Sequence, residues 1–359
     1  IGARRYRIGV SMRYVTVLTV AAFVLASPAS GHHSDAGLDM DGVTTLEGTI
    51  AEFSWRNPHV YFTVEVPDES GRAVEWTVQM ASTINTTRMG WTPDSLVAGD
   101  RVVVGAHIAL DGRPYGLFES IEKVGGVPLP TSFDSDTGEI EFEFAASSAV
   151  PTTIEGRWIA DTSQLGSFEG GLDGYTRSQL VLTEAGSAAL AAFVATSEDD
   201  PQLRCLGRPT PGMIFYTNLY PLEIEFGEGE ETITIRSQFF DEERAVYMDG
   251  RAHPGSEERF YGGHSTGRWE GETLVVDTRN FSDHPSPYQN GIPSGSQKHV
   301  VERYRLTEDG IRLVVEFTLE DPEYLIGSLT HSRELIYSPQ MDMSPFNCDL
   351  ESTSRYLAD

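Results

Sequence analysis

Basic residues are scarce in this sequence. Lysine and arginine together number 26, against 54 aspartates and glutamates, so the formal net charge of the 359-residue chain is −28. The resulting field repels phosphate backbones and anionic lipid headgroups, and we therefore expect no nucleic-acid partner. The acidic residues are spread along the chain, as on a solvated surface. Acidic calcium-binding loops are the alternative, but no Asp-x-Asp-x-Asp-Gly loop supports them.

Several catalytic motifs are missing as well. There is no P-loop, no Gly-x-Gly-x-x-Gly after a predicted strand and no His-Glu-x-x-His, which disfavours nucleotide-binding and zinc-protease functions. No Gly-x-Ser-x-Gly is present either. The stretch around His264-Ser265 leads into a predicted strand, whereas the nucleophile elbow of a serine hydrolase leads into a helix. A serine hydrolase is therefore disfavoured.

Cysteine is rare. Cys205 and Cys348 are the only two, and neither belongs to a Cys-x-x-Cys motif. In an oxidising compartment two cysteines most simply form one disulfide. Closing a loop of this length would stabilise the fold by up to roughly 5 kcal/mol. Two buried free thiols are the alternative.

No long hydrophobic run follows Leu25, so the mature protein has no predicted membrane span. Residues 1–31 are predicted to contain an export signal that starts at Met12. In this segment Met12 and Arg13 precede a short apolar run from Tyr14 to Leu25. We therefore expect a periplasmic or secreted protein.

The pattern after Val43 predicts an all-β protein, because apolar residues recur with a period near two. For a first domain, residues 32–127, it predicts three strands, a short helix and two more strands. This is the element order of a five-stranded barrel of the oligonucleotide/oligosaccharide-binding (OB) type. The predicted strands are Thr44–Trp55, His59–Val66, Ala73–Met80, Arg101–Leu110 and Tyr115–Val124, and the helix is Thr83–Met89.

A second β domain is predicted at residues 154–359, after a linker at residues 128–153 that is rich in Gly, Pro, Ser, Thr and acids. Its long strands must close or be covered, which favours a lipocalin-like antiparallel barrel or curved sheet over a β-sandwich. One helix is predicted at Glu184–Thr196. The predicted strands are Leu222–Phe226, Thr232–Phe240, Arg244–Met248, Gly267–Asp277 with a turn at Glu270-Gly271, His299–Leu306, Ile311–Leu319 and Ser328–Tyr337.

The first domain resembles a family of exported bacterial domains of unknown function, over about residues 30–128. The characteristic motifs of that family are an "HHS" after the signal and a later "NPH". The matching segments here are His32-His33-Ser34, Leu46-Glu47-Gly48-Thr49, Trp55-x-Asn57-Pro58-His59, Arg88-x-Gly90-Trp91, Pro93-Asp94-Ser95-Leu96 and Gly99-Asp100.

The second domain resembles uncharacterised bacterial proteins, although the linker here is longer. Neither resemblance implies an established reaction; both imply that the histidine-bearing segments are characteristic. The matching segments are Tyr247-x-Asp249-Gly250-Arg251, Gly263-His264-Ser265-x-Gly267-Arg268-Trp269-Glu270-Gly271, Val301-Glu302-Arg303-Tyr304 and Asn347-Cys348.

The histidines near the predicted cleavage point suggest a metal site. The small residues there allow signal peptidase to cut after Ala29, Ser30 or Gly31. The first two cuts place His32 or His33 third in the mature chain, where an amine, two amides and an imidazole bind Cu(II) or Ni(II) in a square plane. The third cut makes His32 terminal, so that its amine and imidazole chelate one metal.

His59 is the predicted third ligand of such a site, because the Asn-Pro turn before it is stiff. Copper is the expected cofactor and zinc the alternative. His107, on the fourth predicted strand, is a further candidate. The alternative is that His32 and His33 lie in a disordered leader, with His59 and His107 on the barrel surface.

A second candidate site lies in the second domain. A histidine with a carboxylate and an arginine can supply an acid or base and an anion anchor. Salt bridges at strand ends are the commoner explanation of such groups. The candidate catalytic residues are His264, Asp249, Arg251 and Glu302, with His253 and Arg303 beside them in the sequence.

Together these features predict an exported protein that binds a metal ion, a small apolar or organic ligand, or both. The alternative is an enzyme. It would be a copper-dependent oxidase at the N-terminal histidines or a lyase or isomerase that uses the His264 region. The sequence leaves the oligomeric state open.

Overall fold

A computed structural model describes residues 37–126, 129–130, 133–134, 139–140, 149–161, 178–193, 199–288 and 290–355. Within these ranges the chain forms a closed five-stranded barrel followed by a larger closed barrel of nine strands. The predicted all-β fold class is confirmed. No helix in the described ranges is long and apolar enough to cross a membrane. The predicted signal, His32 and His33 lie outside the described residues.

The first barrel has the predicted element order. Its strands neighbour one another in the order β1-β2-β3-β5-β4, and β4 pairs with β1 to close the barrel. All pairs are antiparallel except β3 with β5. The elements are β1 Thr44–Ser54, β2 Tyr61–Pro67, β3 Ala73–Gln79, α1 Thr83–Arg88, β4 Arg101–Ile108 and β5 Tyr115–Lys123.

Strand β1 is long enough to pair with both β2 and β4, and it bends through a bulge between Ile50 and Glu52. Gly48 permits this bend, since a Cβ atom there would lie 2.3 Å from the carbonyl oxygen of Glu65. Side chains of alternating residues fill the interior, where Trp91 is 1% exposed and donates from Nε1 to the carbonyl oxygen of Pro130 at 2.8 Å. The core of this barrel is therefore continuous with the start of the linker.

Between the barrels the structure describes a two-residue strand pair, β6 Phe133–Asp134 and β7 Glu139–Ile140. Most of the predicted linker falls outside the described residues. The domain boundaries therefore stay a prediction.

The second barrel closes in the order β10-β11-β12-β13-β14-β15-β16-β8-β9. Its one parallel pair is β11 with β12, since residues 248–263 cross over between them; the other pairs are antiparallel. Its helices are α2 Glu184–Ala192 and α3 Gly212–Phe215. The strands are β8 Gly156–Ala160, β9 Leu222–Phe226, β10 Thr232–Ser237, β11 Glu242–Tyr247, β12 His264–Glu270, β13 Thr273–Arg279, β14 His299–Leu306, β15 Arg312–Glu320 and β16 Ser328–Tyr337.

Two local features differ from the prediction. Strand β10 ends at Ser237, because Phe239–Asp241 forms a 3₁₀ turn in which Phe240 has a φ of 57°. Strand β8 was not predicted as a strand, although it supplies Trp158 to the core and joins β9 to β16. Short helix α3 buries Met213 and Ile214 in the same core.

The predicted disulfide is confirmed: Cys205 and Cys348 are bonded, with Cα atoms 5.7 Å apart and a sequence separation of 143 residues. The bond fixes a segment after β16, residues 338–355, which we call the C-terminal segment. Beside it, four aromatic residues that are almost fully buried form a cluster distinct from either barrel core, with Ile84 of α1 packed against them. They are Tyr220, Phe239, Phe240 and Phe346.

Candidate functional site

The Asn57-Pro58-His59 motif lies between β1 and β2 and joins the two barrels. The Asn57 amide accepts hydrogen bonds from the backbone nitrogen and hydroxyl of Thr83, at 2.8 and 3.0 Å, and donates to the carbonyl oxygen of Phe346. The backbone nitrogen of Asp349 donates to the Asn57 carbonyl at 2.8 Å. Buried polar groups that lose such partners destabilise a fold by about 1–3 kcal/mol each, so the motif has a structural role in this chain.

His59 itself is half-buried in the same contact region. Its Nδ1 atom lies 3.2 Å from the carbonyl oxygen of Met80, and its own carbonyl accepts a hydrogen bond from the Ser352 hydroxyl at 2.9 Å. Burial lowers the pKa of His59 to about 4, although the hydrogen bond to Met80 opposes the shift. The imidazole is thus neutral at physiological pH, and Nε2 is the nitrogen that a metal could use.

Among the described residues, no group of three or more His, Cys, Asp or Glu side chains is arranged to hold a metal ion. A copper or zinc site shared by His59 with His32 or His33 stays a prediction, because those two histidines lie outside the described residues.

His107, the further candidate ligand, is 2% exposed and has protein partners for both ring nitrogens. Nδ1 lies 3.1 Å from the carbonyl oxygens of Asp39 and Gly42, and Nε2 lies 3.6 Å from the Glu119 carboxylate. The side chain holds the segment before β1 against the outside of β4.

Three of the four predicted catalytic residues lie on the outer surface of the second barrel. The His264 ring stacks on Tyr247, with centroids 5.1 Å apart. Asp249 and Arg251 pair with each other at 2.6 Å, and hydrogen bonds from Arg251 lower the pKa of Asp249 to about 2. Arg251 also covers the Tyr247 ring, with its guanidinium carbon 3.9 Å from the ring centroid. Asp249 and Arg251 therefore neutralise each other's charge.

Neighbouring strands extend this group of histidines. Nδ1 of His253 lies 3.1 Å from Nδ1 of His264, and the Asp277 carboxylate lies 3.1 Å from Nε2 of both His253 and His299. Burial raises the pKa of Asp277, but contacts with His299 and Arg279 outweigh it and lower the pKa below its ordinary value. This arrangement resembles salt bridges at strand ends, which the sequence analysis gave as the alternative to a catalytic site.

Glu302, the fourth predicted catalytic residue, faces the barrel interior and is 0% exposed. Arg244 Nη2 lies 2.6 Å from its Oε2 atom, the Tyr304 hydroxyl donates to Oε1 at 3.1 Å, and Thr210 donates a third bond. Burial would lower the pKa of Arg244, but the Glu302 charge raises it above its ordinary value. Glu302 is thus separated from His264 by the barrel wall, and the four residues do not form one site.

The more enclosed candidate site is a cleft at one end of the second barrel. The start of β14, the end of β15 and the start of β16 meet at this end. Its walls are mainly apolar and include Phe215, Ile292, Leu319 and Leu329. Small-molecule sites in proteins are commonly concave and have this type of lining.

Lys298 lines this cleft and is 2% exposed. Its Nζ atom lies 3.9 Å from the ring centroid of Phe281 and 4.6 Å from that of Tyr288. Among the described residues it has no hydrogen-bond partner and no carboxylate within 4.0 Å. Burial lowers the pKa of Lys298 to about 7, although Asp321, Glu242 and Glu302 oppose the shift by their charge.

Asp321 lies in the same lining and is also 2% exposed. Its Oδ2 atom accepts a hydrogen bond from the backbone nitrogen of Gly295 at 2.8 Å, whereas Oδ1 has no well-oriented partner within the described part of the chain. Burial raises the pKa of Asp321 above its ordinary value. The cleft therefore combines an apolar wall with an amine and a carboxyl group that is protonated more easily than usual.

One feature of the sequence points to this site, although Lys298 belongs to none of the motifs described above. Lys298 is one of only two lysines in the chain, the other being Lys123, and it shares strand parity with Val300 and Tyr304. Both of those residues are buried in the barrel core. A rare lysine in phase with core residues of a strand predicts a buried amine.

Fold and cleft together define an all-β protein, in which an OB-like barrel is followed by a nine-stranded barrel that contains an apolar cleft. Residues 21–119 match the model of a family of unknown function, DUF6152. The match supports the resemblance found for the first domain, and the family has no assigned activity. No curated protein matches the chain. The resemblance of the second domain stays a prediction.

Proposed function

We propose that the protein is an exported binding protein whose second barrel takes up a small, largely apolar organic molecule. The cleft at the ends of β14, β15 and β16 carries this proposal, because its concave shape and mainly apolar lining suit such a ligand. Export is supported by the signal-like sequence before residue 32 and by the Cys205–Cys348 disulfide, a bond typical of oxidising compartments.

The barrel strands around the cleft favour a ligand-binding role over a purely structural one. The strands beside the cleft are tied into a hydrogen-bonded barrel, so its shape is fixed before a ligand enters. Apolar side chains would supply affinity in proportion to the area they bury, about 25 cal/mol per Å². The polar groups of Lys298 and Asp321 would orient the ligand. A molecule that is mainly apolar and has one polar end would fit this lining.

Fluorescence of N-phenyl-1-naphthylamine, a neutral apolar probe, tests the proposal. Leu329 lies inside β16 and lines the cleft, whereas Thr330 is exposed on the opposite face of the same strand. We expect Leu329→Trp to weaken probe binding at least about tenfold, which corresponds to about 1.4 kcal/mol, and Thr330→Trp to leave it unchanged. Equal affinity in wild type and folded Leu329→Trp would remove the cleft as the binding site.

Copper binding by the mature amino terminus is a second candidate function. The neutral imidazole of His59 favours it, because only neutral histidine coordinates a metal and Nε2 is not the atom bonded to Met80. Intact-mass measurement of the secreted protein gives the cleavage site. Copper titration then compares wild type with His59→Ala, and an unchanged stoichiometry and affinity would exclude His59 as a ligand.

A further inference from the structure

Lys298 is an unusual amine for this chain. The protein uses arginine at 24 of its 26 basic positions, yet the lining of the cleft includes, beside Arg208, one of the two lysines. An arginine cannot lose its proton in a protein, whereas a lysine can become a nucleophile when it is buried. The chemistry available at this position therefore differs from that of a simple positive charge.

The surroundings of Nζ keep the amine reactive. Aromatic rings of Phe281 and Tyr288 flank it, and among the described residues no oxygen accepts a hydrogen bond from it. Burial lowers the pKa of Lys298 to about 7, so the neutral amine is far more populated at pH 7 than in an ordinary lysine with a pKa of about 10.4. A lysine desolvated in an apolar pocket is one of the recognised activated nucleophiles.

An anion-binding role fits these contacts less well. A permanent ammonium group would gain from a buried carboxylate at hydrogen-bond distance, and the cleft places Asp321 in its lining without that contact. The Asp321 side chain instead holds the backbone nitrogen of Gly295 with one oxygen. Its other oxygen stays available to donate or accept a proton within the cleft.

We propose that Lys298 is a covalent attachment point, at which its ε-amine condenses with the carbonyl carbon of an apolar aldehyde or ketone held in the cleft. This inference rests on the proposed function, because the carbonyl compound must first enter the cleft. The ligand class is thus an apolar molecule with an aldehyde or ketone group at one end.

The reaction balances without an oxidant or a reductant. The amine lone pair forms the C–N bond, and one amine proton passes to the carbonyl oxygen, which gives a carbinolamine. Asp321 donates a proton to the hydroxyl group as the C–O bond breaks, so that water leaves. The carboxylate then takes the remaining proton from the nitrogen, and the products are one imine and one water.

Reductive trapping of the full-length mature protein with cinnamaldehyde and cyanoborohydride tests the inference, since cyanoborohydride converts an imine to a stable secondary amine. We expect intact mass to show one cinnamyl group per chain and peptide mapping to place it on Lys298. The label on Lys298 should exceed that on Lys123 at least about tenfold, because an ordinary lysine is almost entirely protonated at pH 7.

Two variants complete the test. Lys123→Arg removes the only competing lysine, which is ion-paired with Asp100 at 2.8 Å, and should retain the full label. Lys298→Met should lose it while still binding the neutral naphthylamine probe. Peptide mapping of the wild type decides the question even if the methionine variant does not fold.

The outcomes separate this inference from the proposed function. If the naphthylamine probe binds in the cleft but label appears only on Lys123 and the terminal amine, Lys298 is not an attachment point and the binding function stands. If the probe does not bind in the cleft and Lys298 takes no label, both proposals fail.

Discussion

Replacing Lys298 by methionine should stabilise the protein, although it removes a charged residue. The buried amine has a pKa of about 7, against an ordinary value of 10.5. A shift of one pKa unit corresponds to about 1.36 kcal/mol, so below pH 7 the lysine destabilises the folded state by up to about 5 kcal/mol. Methionine has a similar length and no charge, and it fits an apolar wall.

The pH dependence has a defined sign. Below pH 7 both the folded and the unfolded states hold the proton of Lys298, and the full destabilisation is present. Between pH 7 and 10.5 the unfolded state binds more protons than the folded state, so the destabilisation shrinks by about 1.36 kcal/mol per pH unit. We expect Lys298→Met to exceed wild type by about 4 kcal/mol at pH 7 and by about 2 kcal/mol at pH 9.

Denaturant unfolding of wild type and variant at pH 7, 8 and 9 measures this difference. Glu242 titrates nearby, because burial raises its pKa to about 8. The charges of Glu242 and Lys298 shift each other's pKa, so the comparison is also made in a Glu242→Gln background, where only Lys298 differs. Lys123→Met is the matched control and should change stability by less than about 1 kcal/mol at every pH. A stability difference that is absent at pH 7, or that does not shrink toward pH 9, would refute the buried-amine argument.

Three further predictions concern the scaffold. Glu302→Gln leaves Arg244 as a buried charge without its counterion and should reduce the free energy of unfolding by about 3–5 kcal/mol; Glu270→Gln, in a partly exposed ion pair, should cost less than about 1 kcal/mol in the same denaturation assay. His59 has a pKa lowered to about 4, so the unfolded state binds more protons between pH 6.5 and 4; wild type should lose up to about 3 kcal/mol in that window, and thermal unfolding of His59→Gln should show a smaller loss. Cys348→Ser opens the disulfide and should lower stability by up to about 5 kcal/mol, with faster proteolysis of the C-terminal segment; equal proteolysis rates would contradict the anchoring role.

The motif that resembles a family signature illustrates the limit of sequence interpretation. Asn57-Pro58-His59 suggested a metal ligand, because the stiff Asn-Pro turn could present His59 to a metal held by the histidines of the new amino terminus. In the fold, Asn57 contacts Phe346, which is 289 residues away. A contact over that separation has no local pattern in the sequence, and so the role of the motif in joining the barrels could not be predicted from it.

The candidate catalytic group shows a related limit. His264, Asp249, Arg251 and Glu302 lie in separate short segments, and the sequence could not show whether these segments meet. Which face each residue occupies was not predictable either, because polar residues occur on both faces of β12 and β14. Glu302 shares its face with Val300 and Tyr304, and the register of β13 with β14 places it inside.

The sequence by itself determined most of the strands, the element order of the first barrel and the disulfide, since these depend on alternation, turn residues and the presence of only two cysteines. The closure of the second barrel decided which residues line the cleft. Only when nine strands form a ring does each strand acquire an inner and an outer face, and only then do Lys298 and Asp321 meet apolar walls from β15, β16 and α3. The cleft is a property of that ring, because no single strand contains more than a part of its lining.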